Sequence, residues 1–310
     1  MNVLVTGGAG FIGSHLVEAL VVRGDDVTVL DDLRGAAISN LDAVLGRVRF
    51  EEDDIQSCDL DRFVRGTDTV FHLAANAYVP PSVDDPVYDF NLNLGVTVRL
   101  LQAIRNAPKA PSFVYASSAA VYGNPVAMPM TEEHPMEPVS PYGVHKLAAD
   151  HEVRVFSQLF GIHASTVRFF ATYGPRQRKQ VVYDLIRKVE ANAERISVYG
   201  DGTQVRDFVF VTDVVQAMID VAERAPGHGE AYNVGTGIGY SIADLVAEVC
   251  RALNAAPQID WTGSVRPGDA QAFVADISKL RAIGHEPAVS LREGVARVVA
   301  WAREQAVEGA

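Results

Sequence analysis

The sequence predicts an α/β protein whose amino-terminal part is a doubly wound parallel sheet, and three observations carry that prediction. The first is a strand, a glycine-rich turn and a helix in succession. Val3 to Thr6 is a short β-branched run, Phe11 to Val22 carries apolar residues at helical spacing, and Gly7, Gly10 and Gly13 punctuate the join. The second is Asp31, which ends the next β-branched run, Val27 to Leu30, 24 residues after Gly7. The third is that strand-like and helical stretches keep alternating through the first half, a pattern that calls for a parallel sheet covered on both faces.

The three glycines sit where a Cβ is excluded by a tight turn, by close backbone approach to a pyrophosphate and by close helix-to-strand packing. The helix start at Phe11, Ile12 and Gly13 then offers free N–H groups and a positive dipole end to phosphates. A purely structural turn is the plain alternative. Asp31 stands about 20 residues on, where the dinucleotide fold needs an acceptor for the ribose hydroxyls. Asp32 follows where a 2′-phosphate would need a basic residue, which favours NAD over NADP, although Arg34 is close by. The plain alternative for the acidic pair is solvation of a strand end.

Further strand-like runs lie at Val48 to Phe50, Thr69 to Leu73 and Phe113 to Ala116. The ligand of such a sheet belongs at the carboxyl ends of its strands. Helical stretches at Pro86 to Ala107 and Pro141 to Phe160 flank this half. Turn residues at Tyr173-Gly174-Pro175 suggest a boundary, giving a dinucleotide-binding domain over 1–172, with 207–236 returning to it, and a smaller α/β domain over 173–310. The second half carries a helix at Val181 to Ala193, strands at Arg195 to Tyr199 and Val209 to Val211, and helices at Asp213 to Ala222, Ser241 to Leu253, Asp276 to Ile283 and Leu291 to Arg303.

Composition narrows the partners. A formal net charge of −12 argues against general binding to nucleic acid or anionic membranes. No apolar run approaches the roughly 18 residues of a membrane span. Two cysteines, Cys58 and Cys250, are too few and too far apart for a disulfide framework or a zinc site. With no basic leader before the first strand, the expected location is the cytoplasm. The eight histidines show no metal-binding spacing, so no metal is expected. Trp261 and Trp301 read as core residues, and His145 is expected on the far face of its helix.

One constellation carries chemistry. Ser140 can cap a helix and Pro141 suits its first position, which makes Tyr142 and Lys146 an i,i+4 pair on one helical face. A tyrosine with a pKa of about 10 needs a shift of roughly 3 units, or about 4 kcal/mol, to act as a base near neutrality. An ammonium at about 4 Å in an effective dielectric near 20 supplies approximately that, and a cationic nicotinamide would add to it. Ser117 and Ser118 end the strand Phe113 to Ala116, where a hydroxyl can bond the substrate oxygen that Tyr142 deprotonates. An amphipathic surface pair and an ordinary serine loop are the plain alternatives.

Six motifs in order, Gly7-Gly-Ala-Gly-Phe-Ile-Gly13, Ser117-Ser-Ala-Ala-Val-Tyr-Gly123, Tyr142-x3-Lys146, Arg168-Phe-Phe-Ala-Thr-Tyr-Gly-Pro-Arg-Gln177, Gly200-Asp-Gly-Thr-Gln-Val-Arg-Asp207 and Arg266-Pro-Gly-Asp269, resemble the extended short-chain dehydrogenase/reductases. The resemblance runs nearly end to end and is nearest to the nucleotide-sugar 4-epimerases of the UDP-galactose (UDP-glucose) type. It implies a Rossmann domain holding NAD and a smaller domain holding a nucleotide-diphosphate sugar, most simply a UDP-sugar. By it, Tyr142 is the base, Lys146 orients the nicotinamide ribose and lowers the tyrosine pKa, and Ser118 bonds the sugar hydroxyl. Asp54 and Ile55 border the adenine, Leu73, Ala74 and Ala75 the inner cofactor, and Asn93 lies near the pyrophosphate. Arg206 and Arg266 match the diphosphate clamp, a task suited to bidentate hydrogen bonds; for Arg206 an ion pair with Asp207 is the alternative.

Two departures refine the expectation. Sugar 4,6-dehydratases carry an acidic pair after the strand-end hydroxyl, and nucleotide-sugar decarboxylases a glutamate; here Ala119 and Ala120 stand there. Ala171 replaces an asparagine that in the epimerases contacts the sugar nucleotide, which leaves the sugar open. The expected activity is NAD-dependent C4 epimerisation through a transient 4-keto sugar. UDP-glucuronate 4-epimerase, a nucleotide-sugar 4-ketoreductase and a non-catalytic dinucleotide sensor are the alternatives. The resemblance also implies a homodimer joined through the two long helices of the first half.

Overall fold

Short β-branched runs separated by amphipathic helices set the order of elements in the computed structural model, which describes residues 1–264 and 271–308. The first half runs β1 (Asn2–Thr6), α1 (Phe11–Arg23), β2 (Asp26–Asp31), β3 (Arg49–Glu52), α2 (Leu60–Val64), β4 (Thr69–His72), α3 (Val79–Asp84), α4 (Pro86–Phe90), α5 (Val96–Asn106), β5 (Ser112–Ser118), α6 (Pro141–Phe160) and β6 (Ala164–Phe169). It continues with β7 (Ala171–Tyr173), α7 (Gln180–Ala191), β8 (Arg195–Val198), β9 (Val205–Arg206), β10 (Phe208–Phe210), α8 (Val211–Arg224) and β11 (His228–Val234). The last part holds β12 (Tyr240–Ser241), α9 (Ile242–Leu253), β13 (Gln258–Trp261), β14 (Ala272–Phe273), α10 (Ser278–Ala282) and α11 (Leu291–Glu308).

Seven strands form one sheet in the order β11-β6-β5-β4-β1-β2-β3, and every pairing is parallel. The order reverses at β1, which pairs with β2 on one side and β4 on the other, and a ligand crevice opens beyond the strand ends at such a point. Both faces are covered. Leu16, Val17 and Leu20 of α1 pack with Val214 and Met218 of α8 on one face. Leu100 and Ile104 of α5 pack with Val153 of α6 on the other. That is why β4 is buried at all four positions, Thr69 and His72 included. A third core, with Leu185 and Ile186 of α7, Val249 of α9 and Val295 and Val298 of α11, lies beneath the small sheets of the second half.

The long helix α6 carries the chemistry, and its ends are specified locally. Gly143 N–H donates to the Ser140 side chain at 3.1 Å, Pro141 occupies the first turn, and Gly161 at φ 68° closes the helix in the left-handed region. Elsewhere the predicted helix from Pro86 to Ala107 is α4 and α5 joined by a π-helical turn at Asn91–Gly95. Two strands of the seven-stranded sheet, β6 and β11, are absent from the sequence prediction, as are β7, β9, β12, β13 and β14 of the small sheets. β6 carries Arg168 next to its end, a charge that hides the apolar pattern and that its buried partner Asp150 makes tolerable. β11 begins His-Gly-Glu, which reads as a loop.

Candidate active site

The glycine loop fits between the ends of β1 and β4. A Cβ on Gly7 would come within 2.6 Å of the Ala74 nitrogen, and one on Gly13 within 2.1 Å of the Gly7 carbonyl oxygen. Only glycine lets α1 start this close to the sheet. Gly10 gives α1 no side-chain cap and its first turn holds no acid, so the donors at Phe11, Ile12 and Gly13 remain available to an anion. This is a cradle that a dinucleotide pyrophosphate fits.

Asp31 does more than the sequence suggests. Its Oδ2 accepts from Ala9 N–H at 2.9 Å and its Oδ1 from Leu33 N–H at 2.9 Å, so it pins the glycine loop to the end of β2. A carboxylate has about four acceptor sites, which leaves capacity for ribose hydroxyls. Arg34 Nη2 donates to Asp54 at 2.7 Å, and its Nε lies 3.4 Å from Asp32. The cation that could welcome a 2′-phosphate is thus held between two carboxylates, in keeping with NAD. Ile55 is buried beside Asp54, and Leu73, Ala74 and Ala75 leave β4 half-buried along the crevice.

Two buried groups support this floor, and sequence reasoning missed the first. His72 lies between Thr6 Oγ1 at 2.7 Å and Thr97 Oγ1 at 3.2 Å. Burial pushes its pKa down to about 3, so a neutral imidazole links β1, β4 and α5 directly under the site. Asn93, in the π-helical turn, donates from Nδ2 to Asp89 Oδ1 at 2.9 Å and to Asn76 O at 3.1 Å. It holds the segment after β4 in place.

Ser118, Tyr142 and Lys146 are brought together as the motifs imply. Ser118 Oγ accepts from Ala120 N–H at 3.2 Å, and Ser118 lies close enough to the Tyr142 hydroxyl to pull its pKa down. Tyr142 N–H donates to Ser82 Oγ at 3.1 Å, which ties α6 to α3. Lys146 Nζ donates to Ala116 O at 2.9 Å and lies 5.9 Å from the Tyr142 ring centroid. The electrostatics correct the sequence argument. Burial pushes the Tyr142 hydroxyl up to about 12, against which Ser118 is the one group pulling down. Burial likewise brings Lys146 down to about 8, with Asp150 and Asp89 pulling back up. Desolvation dominates at the Tyr142 hydroxyl, and the groups that act on it there are Ser118, Asp89 and Asp150. Ser117, preceding Ser118, is buried beside Asp150.

In the second half, Arg206 is half-buried on β9, with Nη1 donating to Val205 O at 2.8 Å and its guanidinium 5.8 Å from the Phe273 ring centroid. Arg266 lies outside the described residues. Ala171 opens β7 and donates its N–H to Asp207 O at 3.0 Å. Asp207 is fully buried and does not pair with Arg206 through any ion contact; its carboxylate takes backbone and hydroxyl donors from Thr236, Gly237 and Ala275 instead. No local pattern in the sequence could reveal that junction. His145 turns toward α4, with Nδ1 2.6 Å from Asp89 Oδ2 and its ring edge-on to Phe90. Trp261 is half-buried over Gly202, and Trp301 is half-buried beside Tyr183.

A parallel sheet of this strand order, with a strand-end serine facing a Tyr-x3-Lys helix, defines an extended short-chain dehydrogenase/reductase. The chain belongs, within that class, to the family whose model is described as GDP-mannose 4,6 dehydratase, matched over residues 4–298. It is 35% identical over 313 residues to the UDP-glucose 4-epimerase of Mycolicibacterium smegmatis, covering 98% of this chain and 99% of that one. The UDP-N-acetylglucosamine 4-epimerase from Methanobrevibacter ruminantium, solved with UDP-N-acetylmuramic acid, superposes with a TM-score of 0.92 at 32% identity over 98% of each chain. The UDP-glucuronic acid 4-epimerase from Bacillus cereus, solved with UDP-glucuronic acid and NAD, superposes with a TM-score of 0.89 at 31% identity over 98% of this chain and 100% of that one.

Proposed function

We propose that this protein is an NAD-dependent nucleotide-diphosphate-sugar C4 epimerase working through a transient 4-keto sugar. The observation that carries the reading is the Ser118, Tyr142 and Lys146 set at the strand ends beside a glycine cradle, with Ala119 and Ala120 where a dehydratase needs acids. Three similar proteins bear the names of 4-epimerases for three different sugars, which supports the position of reaction and leaves the sugar open.

In this reading Gly7, Gly10 and the Phe11–Gly13 turn hold the pyrophosphate, Asp31 and Asp32 the adenosine ribose, and Asp54 and Ile55 the adenine. Leu73 to Ala75, Asn93 and Ser117 line the inner cofactor. Bound there, NAD would supply a hydride acceptor and donor for C4 and a positive charge near Tyr142. Tyr142 Oη takes the proton of the 4-hydroxyl, Ser118 Oγ holds the same oxygen, and Lys146 keeps a cation beneath them. Arg206, joined by Arg266, grips the diphosphate. We assign 1–172 with 207–236 to the NAD domain and 173–310 to the sugar-nucleotide domain, with Ala171 at their border.

Incubation with UDP-glucose, UDP-galactose, UDP-N-acetylglucosamine and UDP-glucuronate, followed by chromatography of the sugars, tests this. A C4 epimer of at least one is expected without added NADH; stoichiometric consumption of NADH would mark a 4-ketoreductase, and no epimer from any would sink the proposal. We also propose a homodimer. Val83 on α3, Val87 on α4, and Val144, Val155 and Leu159 on α6 leave large apolar side chains exposed on three helices that pack together. Sedimentation is expected to give twice the 33.4 kDa chain mass. A cytoplasmic setting suits the free Cys58 and Cys250, and no helix among the described residues is long and apolar enough to cross a membrane.

A further inference from the structure

Asp150 lies one helical turn beyond Lys146 on α6, as Lys146 lies one turn beyond Tyr142, so the three side chains share a stripe. Asp150 is 5% exposed, as is Arg168 on β6. Arg168 Nε donates to Asp150 Oδ2 at 2.8 Å, while its Nη1 donates to Tyr122 Oη at 2.9 Å and to Glu132 O at 3.2 Å. Tyr122 is itself fixed by donating to Asn233 Oδ1 at 2.6 Å. The guanidinium is therefore immobilised on the side of Asp150 away from the cleft. The second carboxylate oxygen, Oδ1, is buried without a direct hydrogen-bond partner. The Ser117 hydroxyl beside it is likewise buried without a direct partner, and the Lys146 charge acts on the Asp150 carboxylate.

The surroundings of Lys146 make that open oxygen matter. Among the described residues its one direct acceptor is the neutral Ala116 carbonyl, and the Tyr115 ring centroid lies 4.9 Å from Nζ on the β5 side. From β4 comes His72, neutral; from α6 itself Tyr142, also neutral in this site. Negative charge reaches Lys146 from Asp150 on α6 and from Asp89 on α4, with Asp150 the stronger influence. Asp89 is already engaged by Asn76 at 2.7 Å, Asn93 at 2.9 Å and His145 at 2.6 Å. The Asp150 and Arg168 pair is a buried ion pair, and such a pair is weak evidence of a stabilising role. Its placement next to a buried lysine gives it a different use.

We infer that Asp150 is a positioning residue for the reaction: clamped by Arg168, its carboxylate keeps Lys146 an ammonium in a site too dry to hold the proton unaided. A neutral Lys146 could not stabilise a Tyr142 phenolate. The inference deepens the Tyr142 and Lys146 assignment made above and rests on it.

The chain has five lysines, so NMR of protein carrying 13Cε-lysine resolves Lys146, identified by the signal lost in Lys146→Arg. In cofactor-free protein the Asp150→Asn variant is expected to lower the pH at which Lys146 titrates by about one unit or more, a tenfold loss of proton affinity, and Asp150→Glu to restore most of it. A folded Asp150→Asn protein whose Lys146 titrates as in the wild type overturns the inference. If the unpaired Arg168 prevents folding, the double variant Asp150→Asn, Arg168→Gln removes both charges; a downward shift is expected there too, and an unchanged titration overturns the inference equally. The titration is read without sugar nucleotide, so its failure is distinct from a failure to epimerise.

Discussion

Tyr142→Phe is expected to lower kcat for C4 epimerisation by about three orders of magnitude with NAD still bound. Positioned acid–base catalysis is worth roughly 10²- to 10⁴-fold, and the phenol oxygen is the atom removed. The ring stays because it is buried among fixed neighbours: the Tyr142 side chain is 8% exposed and its backbone is anchored to Ser82. The loss should fall in kcat with little change in KM, the pattern of an interaction made in the transition state. Burial pushes the Tyr142 hydroxyl up to about 12, so the proposed base role calls for the positive charge that bound NAD would bring beside it. Single-turnover measurements on the variant, with bound NAD counted by absorbance, check both halves of the expectation. Activity retained within tenfold would remove Tyr142 from the base role.

The glycine loop and the proposed catalytic pair on α6 were legible in the sequence because each is short-range. Gly7 to Gly13 is one turn, and Tyr142 and Lys146 are one helical turn apart. Burial is what the sequence conceals. An ammonium next to a phenol suggests an acidified tyrosine, yet desolvation reverses the shift once both groups are enclosed. Long-range pairs are hidden for the same reason. Arg168 looks like a break in a strand until Asp150, 18 residues away, is seen against it. His72 reads as one scattered histidine, although it bridges Thr6 and Thr97 beneath the crevice. Asp150 alone left a trace, its spacing of four from Lys146.

Asp207→Ala should do the most damage away from the reacting atoms. Oδ1 accepts from Thr236 N–H at 2.7 Å and Thr236 Oγ1 at 2.6 Å; Oδ2 accepts from Gly237 N–H at 2.9 Å and Ala275 N–H at 3.2 Å. One carboxylate thus joins the turn after β11, the chain after β14, and the junction of β9 and β10. Gly235 packs so tightly that a Cβ there would lie 2.6 Å from Oδ2, which leaves little room for water to take over. Each buried donor left unpaired costs about 1–3 kcal/mol, so a loss of about 4 kcal/mol is expected even after relaxation, against a total of about 5–15 kcal/mol for a domain. At roughly 2–4 °C per kcal/mol, Tm should fall by about 10 °C. Asparagine is no remedy, since its NH₂ would face donors. Arg206 is carried on the strand that Asp207 terminates, so KM for the sugar nucleotide should rise at least about tenfold, a loss of about 1.4 kcal/mol. NAD affinity should hold, because Asp207 touches no part of the glycine loop. Calorimetry with substrate and cofactor titrations separates these outcomes. An alanine variant with unchanged Tm and KM would mean that the small sheets hold Arg206 in place without this junction.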